Sequence, residues 1–144
     1  MKRFFLEKTE AWDVLETMLN EAGRADEITV CSFAMAESFI RRLIKQRPRI
    51  GKITVILDFV VATRNRSNML FIAKNTDELY LCNTHAKLIL VESENYKMVC
   101  TLSANATMNH RYECGMMSGD PQIINQAKEC LAKMKADGQR IKFD

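Results

Sequence analysis

Two hydrophobic periods alternate along the chain. From Thr9 to Ala22, Trp12, Leu15, Leu19 and Ala22 recur on one face at helical spacing, and Gly23 supplies a stop. "EITVCSF", Glu27 to Phe33, is a β-branched apolar run of strand length. Helical spacing returns from Ala36 to Arg47 through Phe39, Leu43 and Ile44, and Pro48 and Gly51 end it. "KITVILDFV" predicts a second strand from Lys52 to about Asp58, and its nearly continuous apolar character implies burial on both faces. A third helix is expected within Arg64 to Asn75 and a third strand at "ELYLCN". Three more strands follow, Ala86 to Glu92, Lys97 to Ser103 and Tyr112 to Ser118, the first two joined by a hairpin turn at "SENY". A last helix runs from Pro121 to Ala136, with Asp120 as its cap and Pro121 at its first position. Strands alternating with helices predict an α/β fold with a mixed, mostly parallel sheet flanked by helices on both faces. The hairpin strands of the second half add antiparallel neighbours to it.

Within this apolar pattern one stretch breaks step. "THAKLILVESENYKMVCTLSANAT" carries His85 and Lys87 two apart, and Ser103 and Asn105 two apart. Side chains of a strand alternate faces with period two, so each pair shares a face. The hairpin at Ser93 to Tyr96 brings the two pairs level, at one end of the sheet. Four polar groups beside a core are costly unless they have partners or a ligand. Together they suit phosphoryl transfer. Lys87, Asn105 and Ser103 supply a cation and neutral donors for an oxyanion. A neutral imidazole can attack phosphorus or move a proton. A carboxylate best holds the other ring nitrogen, and Glu113 follows Asn105 by eight residues.

Taken singly these signals are weak. Two histidines give one H-x-K by chance roughly one time in six, and S-x-N is commoner still. Both pairs in register across a hairpin, with a carboxylate to follow, are far rarer. Glu113 alone is a common surface acid, and His110 reads as solvent-facing or as a contact on the substrate side. Arg64, Arg66 and Lys74 read as a phosphate-binding edge or, equally well, as a solvated helix face.

The 144 residues suit a single domain spanning 1–144 with one core. Hydrophobic content of 47% and charged content of 27% exclude extensive disorder. A net charge of +3 permits a polyanionic partner without requiring one. The cysteines, Cys31, Cys82, Cys100, Cys114 and Cys130, are odd in number and contain no C-x-x-C, which points to a reducing, cytoplasmic setting and no disulfide framework. Cys82 and His85 have the spacing of half a zinc site, but no second pair follows, so no metal site is expected. The apolar run Phe4 to Leu6 is too short for a signal peptide, and no stretch is long enough to span a bilayer.

These residues resemble the phospholipase D superfamily, whose signature is H-x-K-x4-D followed by G-S-x-N. "HAKLILVE" supplies His85, Lys87 and, at the Asp position, Glu92; "LSAN" supplies Ser103 and Asn105. Glu113 matches the acid that the family places after the Asn, where it contacts the catalytic His. "ITVCSF" and "KITVILD" look like the two strands that precede the motif. Three departures stand out: Glu92 replaces Asp at a mainly structural position, Leu102 stands where Gly is usual, and the gap from Glu92 to Ser103 is long. The resemblance implies catalytic roles for His85, Lys87, Ser103, Asn105 and Glu113. One His forms a phosphohistidine and a second protonates the leaving oxygen. With one motif, the chain is similar to the small bacterial endonucleases of the family, which pair two identical chains about a twofold axis. The implied protein is a homodimeric, metal-independent phosphodiesterase without cofactor, acting on nucleic acid and away from membranes. The competing implication is a non-catalytic nucleic-acid-binding or assembly module that keeps the fold.

Overall fold

The computed structural model describes residues 2–142. Among them, strands β1 (Lys2–Thr9), β2 (Ala25–Ser32), β3 (Ile50–Asp58), β4 (Glu78–Cys82), β5 (Leu88–Glu92), β6 (Lys97–Leu102), β7 (Arg111–Ser118) and β8 (Gln139–Ile141) form one sheet in the order β1-β7-β6-β5-β2-β3-β4-β8. The helices are α1 (Ala11–Ala22), α2 (Glu37–Lys45), α3 (Phe59–Arg64), α4 (Arg66–Asn75) and α5 (Pro121–Asp137). The α/β fold and the mixed sheet match expectation. The expected parallel majority does not hold: only β2/β3 and β3/β4 run parallel, and the other five neighbouring pairs are antiparallel. Helical crossovers connect β2, β3 and β4, which makes them parallel, whereas short loops join β5, β6 and β7 and reverse each in turn.

Local chemistry explains the elements. Gly23 ends α1 at φ 77°, where a side chain would be strained, and its N–H donates to the Leu19 carbonyl at 2.9 Å. Asp120 caps α5 by accepting from the Gln122 N–H at 3.0 Å, with Pro121 at the first position as expected. The β5–β6 hairpin closes through the Ser93 N–H on the Tyr96 carbonyl at 2.6 Å. Gly115 of β7 lets the Phe5 ring lie across it, since a Cβ there would come within 2.5 Å of that ring.

Two apolar layers cover the central strands. One face packs against α1, α2 and α4 through Trp12, Leu15, Phe39, Leu43 and Ile72. On the other, Ile124 and Leu131 of α5 pack with Ile56, Leu90 and Val99. Strands β1 and β8 and helix α3 were not anticipated. In β1, Phe4 and Leu6 point outward and are 68% and 65% exposed, which hides the strand in a charged segment. β8 is three residues long.

The register sets the site. Ser32, Asp58 and Cys82 end the parallel strands at one edge of the sheet, and Cys31 is level with Leu88. Thr101 is level with Leu88, Leu102 with Gly115, and Thr9 with Arg111. The segments 83–87, 103–110 and 33–36 therefore gather at the carboxyl end of the parallel strands, where open α/β sheets bind ligands.

Candidate active site

His85 and Lys87 lie on an extended segment just ahead of β5, which starts at Leu88 rather than at Ala86. The Leu102 N–H donates to the Lys87 carbonyl at 3.2 Å, so the ladder with β6 continues beneath the motif. Three contacts pin this segment from below. Asp58, 4% exposed, accepts the Thr84 N–H at 3.1 Å through Oδ1. Its Oδ2 accepts the Val60 and Val61 N–H groups and so caps α3. Thr84 Oγ1 accepts the Ala86 N–H at 3.0 Å, and the Cys31 thiol reaches the Ala86 carbonyl at 3.7 Å. Burial pushes the Cys31 thiol up to about 11, with a hydrogen bond to Thr84 opposing it, so it stays a neutral donor.

The Asn105 side of the motif is pinned in the same way. Ser32, 1% exposed at the end of β2, accepts the Ala106 N–H at 3.0 Å and donates to the Ala34 carbonyl at 2.5 Å. Its hydroxyl also lies 3.3 Å from Asn105 Oδ1. The Ala36 N–H donates to the Ala106 carbonyl at 2.8 Å. The Asn105 amide oxygen thus faces Ser32, and the side chain also lines the cleft, where its NH₂ is available as a donor. Ser103 accepts the Cys114 N–H at 3.0 Å and donates to Glu113 Oε2 at 3.2 Å.

Lys87, Ser103, Asn105 and Glu113 line one cleft of about 250 Å³, together with Thr107, Asn109 and Arg111. Of the four groups expected to converge, Lys87, Ser103 and Asn105 share this cleft with Glu113, whereas His85 is not part of its lining. Lys87 Nζ donates to the His85 carbonyl at 3.1 Å. His85 is exposed beside the cleft, its ring resting on Phe33 with centroids 4.4 Å apart. The structure does not bring Glu113 to His85: among the described residues the carboxylate bonds Ser103, and no hydrogen bond joins it to the imidazole. Glu92 lies at the far end of β5, where it pairs with Lys128 of α5 at 2.9 Å and ties that helix to the sheet. Leu102, at the usual glycine position, packs partly buried against the core.

His110 is exposed, 3.9 Å from Asp13, and lies outside the cleft lining. Arg64, Arg66 and Lys74 are exposed on α3 and α4 and likewise do not line it. Among the described residues no group of three or more His, Cys, Asp or Glu is placed to hold a metal ion. Sequence reasoning missed Ser32, Asp58, Thr84 and Arg111. Asp58 left a signal, as an acid closing a strand that is otherwise almost wholly apolar.

No family model matches the sequence, and no curated protein matches it. Solved structures do match. A phospholipase D family member, Nuc, from Salmonella typhimurium superposes with a TM-score of 0.76 at 16% identity, over 99% of this chain and 100% of that one. The fold is that of the phospholipase D family. NucT from Helicobacter pylori gives 0.74 at 17% identity, over 99% of both chains. The yeast tyrosyl-DNA phosphodiesterase gives 0.56 at 18% identity, over 82% of this chain and 32% of that one. The phospholipase D-like fold accounts for the strand order and for the gathering of the motif at one end of the sheet. No helix among the described residues is long and apolar enough to cross a membrane.

Proposed function

We propose that the chain is a metal-independent phosphodiester hydrolase, a nuclease acting through a phosphohistidine at a site shared by two copies. The observation that carries this reading is the cleft in which Lys87, Arg111, Ser103 and the Asn105 amide face one volume beside His85. The likeness to a phospholipase D family member and to a tyrosyl-DNA phosphodiesterase supports it.

A substrate phosphate seated between Lys87 and Arg111 has its charge countered by two cations, and Asn105 donates to a non-bridging oxygen as the transition state gathers charge. His85 attacks phosphorus through one ring nitrogen, forming a P–N bond while the P–O bond to the leaving alcohol breaks. His85 of the partner subunit donates a proton to that alcohol. It then takes a proton from water, which attacks phosphorus and breaks the P–N bond. The sum is the addition of one water across the diester, and both imidazoles return to their starting states. Within one chain Glu113 is held by Ser103 and not by His85, so its carboxylate serves the imidazole across the twofold axis. The uncovered apolar face of β1 and β7, with Phe4 beside Met116 and Leu6 beside Cys114, is the surface where the second copy packs. Five cysteines that are all unpaired fit a cytoplasmic setting.

A second reading, a binding module without turnover, is favoured by the His85 imidazole having no hydrogen-bonded carboxylate among the described residues of its own chain. Turnover of bis(p-nitrophenyl) phosphate with and without EDTA decides between them. Equal release of p-nitrophenol in both supports hydrolysis without metal. Release lost to EDTA and restored by magnesium overturns the metal-independent mechanism, and no release in either condition leaves the binding module.

A further inference from the structure

A second cavity, of about 560 Å³, opens beside the cleft. Glu37 of α2, Asn65, Ser67, Asn68 and Phe71 at α3–α4, and Thr107 line it. Thr107 also lines the cleft, so the two volumes share a wall. A smaller pocket of about 170 Å³ shares Asn65 and Asn68 with the cavity and extends inward to Phe33, the ring on which His85 rests. The cavity therefore adjoins the cleft at Thr107, and the smaller pocket links it to the ring beneath His85.

Its lining differs from that of the cleft. The cleft holds Lys87 and Arg111. The cavity's charged lining residue is Glu37, which Arg41 already pairs at 3.3 Å. Such a lining does not select a phosphate. It offers the Phe71 ring, held by the Arg41 guanidinium at 4.9 Å from its centroid, and two amide side chains. Asn65 Oδ1 accepts from the Asn68 N–H and the Ser67 hydroxyl, which leaves its NH₂ to donate. Asn68 donates to the Met35 carbonyl at 2.9 Å, and its own Oδ1 is buried with no partner. An aromatic ring beside the Asn65 amide donor suits a flat group with apolar faces and a polar edge. The volume is that of a small-ligand site.

We propose that this cavity receives the nucleobase next to the scissile phosphate of a single strand, an inference that rests on the phosphodiesterase reading for the position of that phosphate. The phosphate sits on Lys87 and Arg111, and the base turns past Thr107 toward Phe71 and Asn65. A base paired in a duplex must leave its stack to enter, at a cost of a few kcal/mol, so the site selects single strands.

The test uses binding, which does not require turnover. Fluorescence anisotropy compares a labelled oligothymidylate with an abasic strand of the same length and charge, and with the oligothymidylate paired in a duplex. The full chain should favour the base-bearing single strand over both by about tenfold. Ser67→Trp, which fills the cavity from an exposed position, and Phe71→Ala, which removes the ring, should each bring the ratio toward one. A ratio near one in the unaltered chain, or a ratio kept in both variants, overturns the base site; a duplex bound as tightly as the single strand overturns its selectivity. Turnover of methyl p-nitrophenyl phosphate, a diester with no base, reads the phosphodiesterase reading separately. Its absence with the binding ratio intact would refute that reading and leave a base-binding site on a non-hydrolytic chain.

Discussion

The centre of the sheet and its β1–β7 edge are built on different terms. In β2 and β3 every residue after the third is buried, and both faces are covered by helices. In β1 and β7 the face bearing Phe4, Leu6, Tyr112 and Met116 is left open, with Tyr112 69% exposed. The candidate site straddles this seam. His85, Lys87 and Asn105 hang from loops that Asp58, Thr84 and Ser32 pin to the covered centre, whereas Arg111 and Glu113 sit on β7, next to the edge strand β1, on the face opposite to Tyr112 and Met116. The difference teaches that one chain fixes half of the site by its own core. The other half stands on a strand whose opposite face is apolar and uncovered.

The comparison breaks most visibly at the edge. Leu6→Glu combined with Met116→Lys should convert a dimer to a monomer by light scattering and abolish turnover, while the thermal transition moves little, since surface substitutions usually act within about 0.5 kcal/mol. Dimers that persist with full activity would place the interface elsewhere. At the cleft, Lys87→Ala should lower kcat/KM on bis(p-nitrophenyl) phosphate by about a hundredfold through lost charge stabilisation, with circular dichroism unchanged. A loss below about threefold would remove Lys87 from the reacting centre.

At the pinned side the effect is on stability as well as rate. Asp58→Ala removes a helix cap and leaves the Thr84 N–H without its acceptor. About 2 kcal/mol should be lost in urea unfolding, and turnover should fall about tenfold as the His85 segment loosens. Ser32→Ala should act similarly on the Asn105 loop, and unchanged stability in both would show that the loops hold themselves. The smallest effect concerns thiols. Cys114 and Cys130 are exposed, whereas burial pushes Cys31 up to about 11 and Cys100 up to about 12. Raised values keep the buried pair protonated near pH 8, so a thiol reagent should label Cys130 quickly, Cys114 more slowly in the dimer than in the monomeric variant, and Cys31 and Cys100 only on unfolding. Rapid labelling of Cys31 would mean that the floor beneath Ala86 opens.

What the sequence made legible follows the range of the interactions. β2, β3, α1 and α5 announced themselves because their signals, apolar period and capping residues, act within a few positions. The convergence of Lys87, Ser103 and Asn105 was legible because a hairpin with a readable turn fixes their register. Ser32 and Asp58 were not, because their bonds span 73 and 26 residues to Asn105 and Thr84, and no local period carries such a bond. β1 stayed hidden because its outward residues are apolar, reversing the usual alternation. The parallel majority was overestimated because the pairing of β5 with β2 depends on sheet order, which crossovers alone do not determine.

The most direct test of the account is the turnover of His85→Asn beside its binding of oligothymidylate. Asn keeps a polar side chain of similar reach but has no imidazole, and in a symmetric pair one substitution removes both the nucleophile and the acid. The expected result is a loss of several orders of magnitude in rate, at roughly 1.4 kcal/mol per tenfold, with dimer formation and binding retained. Turnover that stays within a fewfold of the unaltered chain would contradict the assignment of His85 and with it the proposed phosphohistidine.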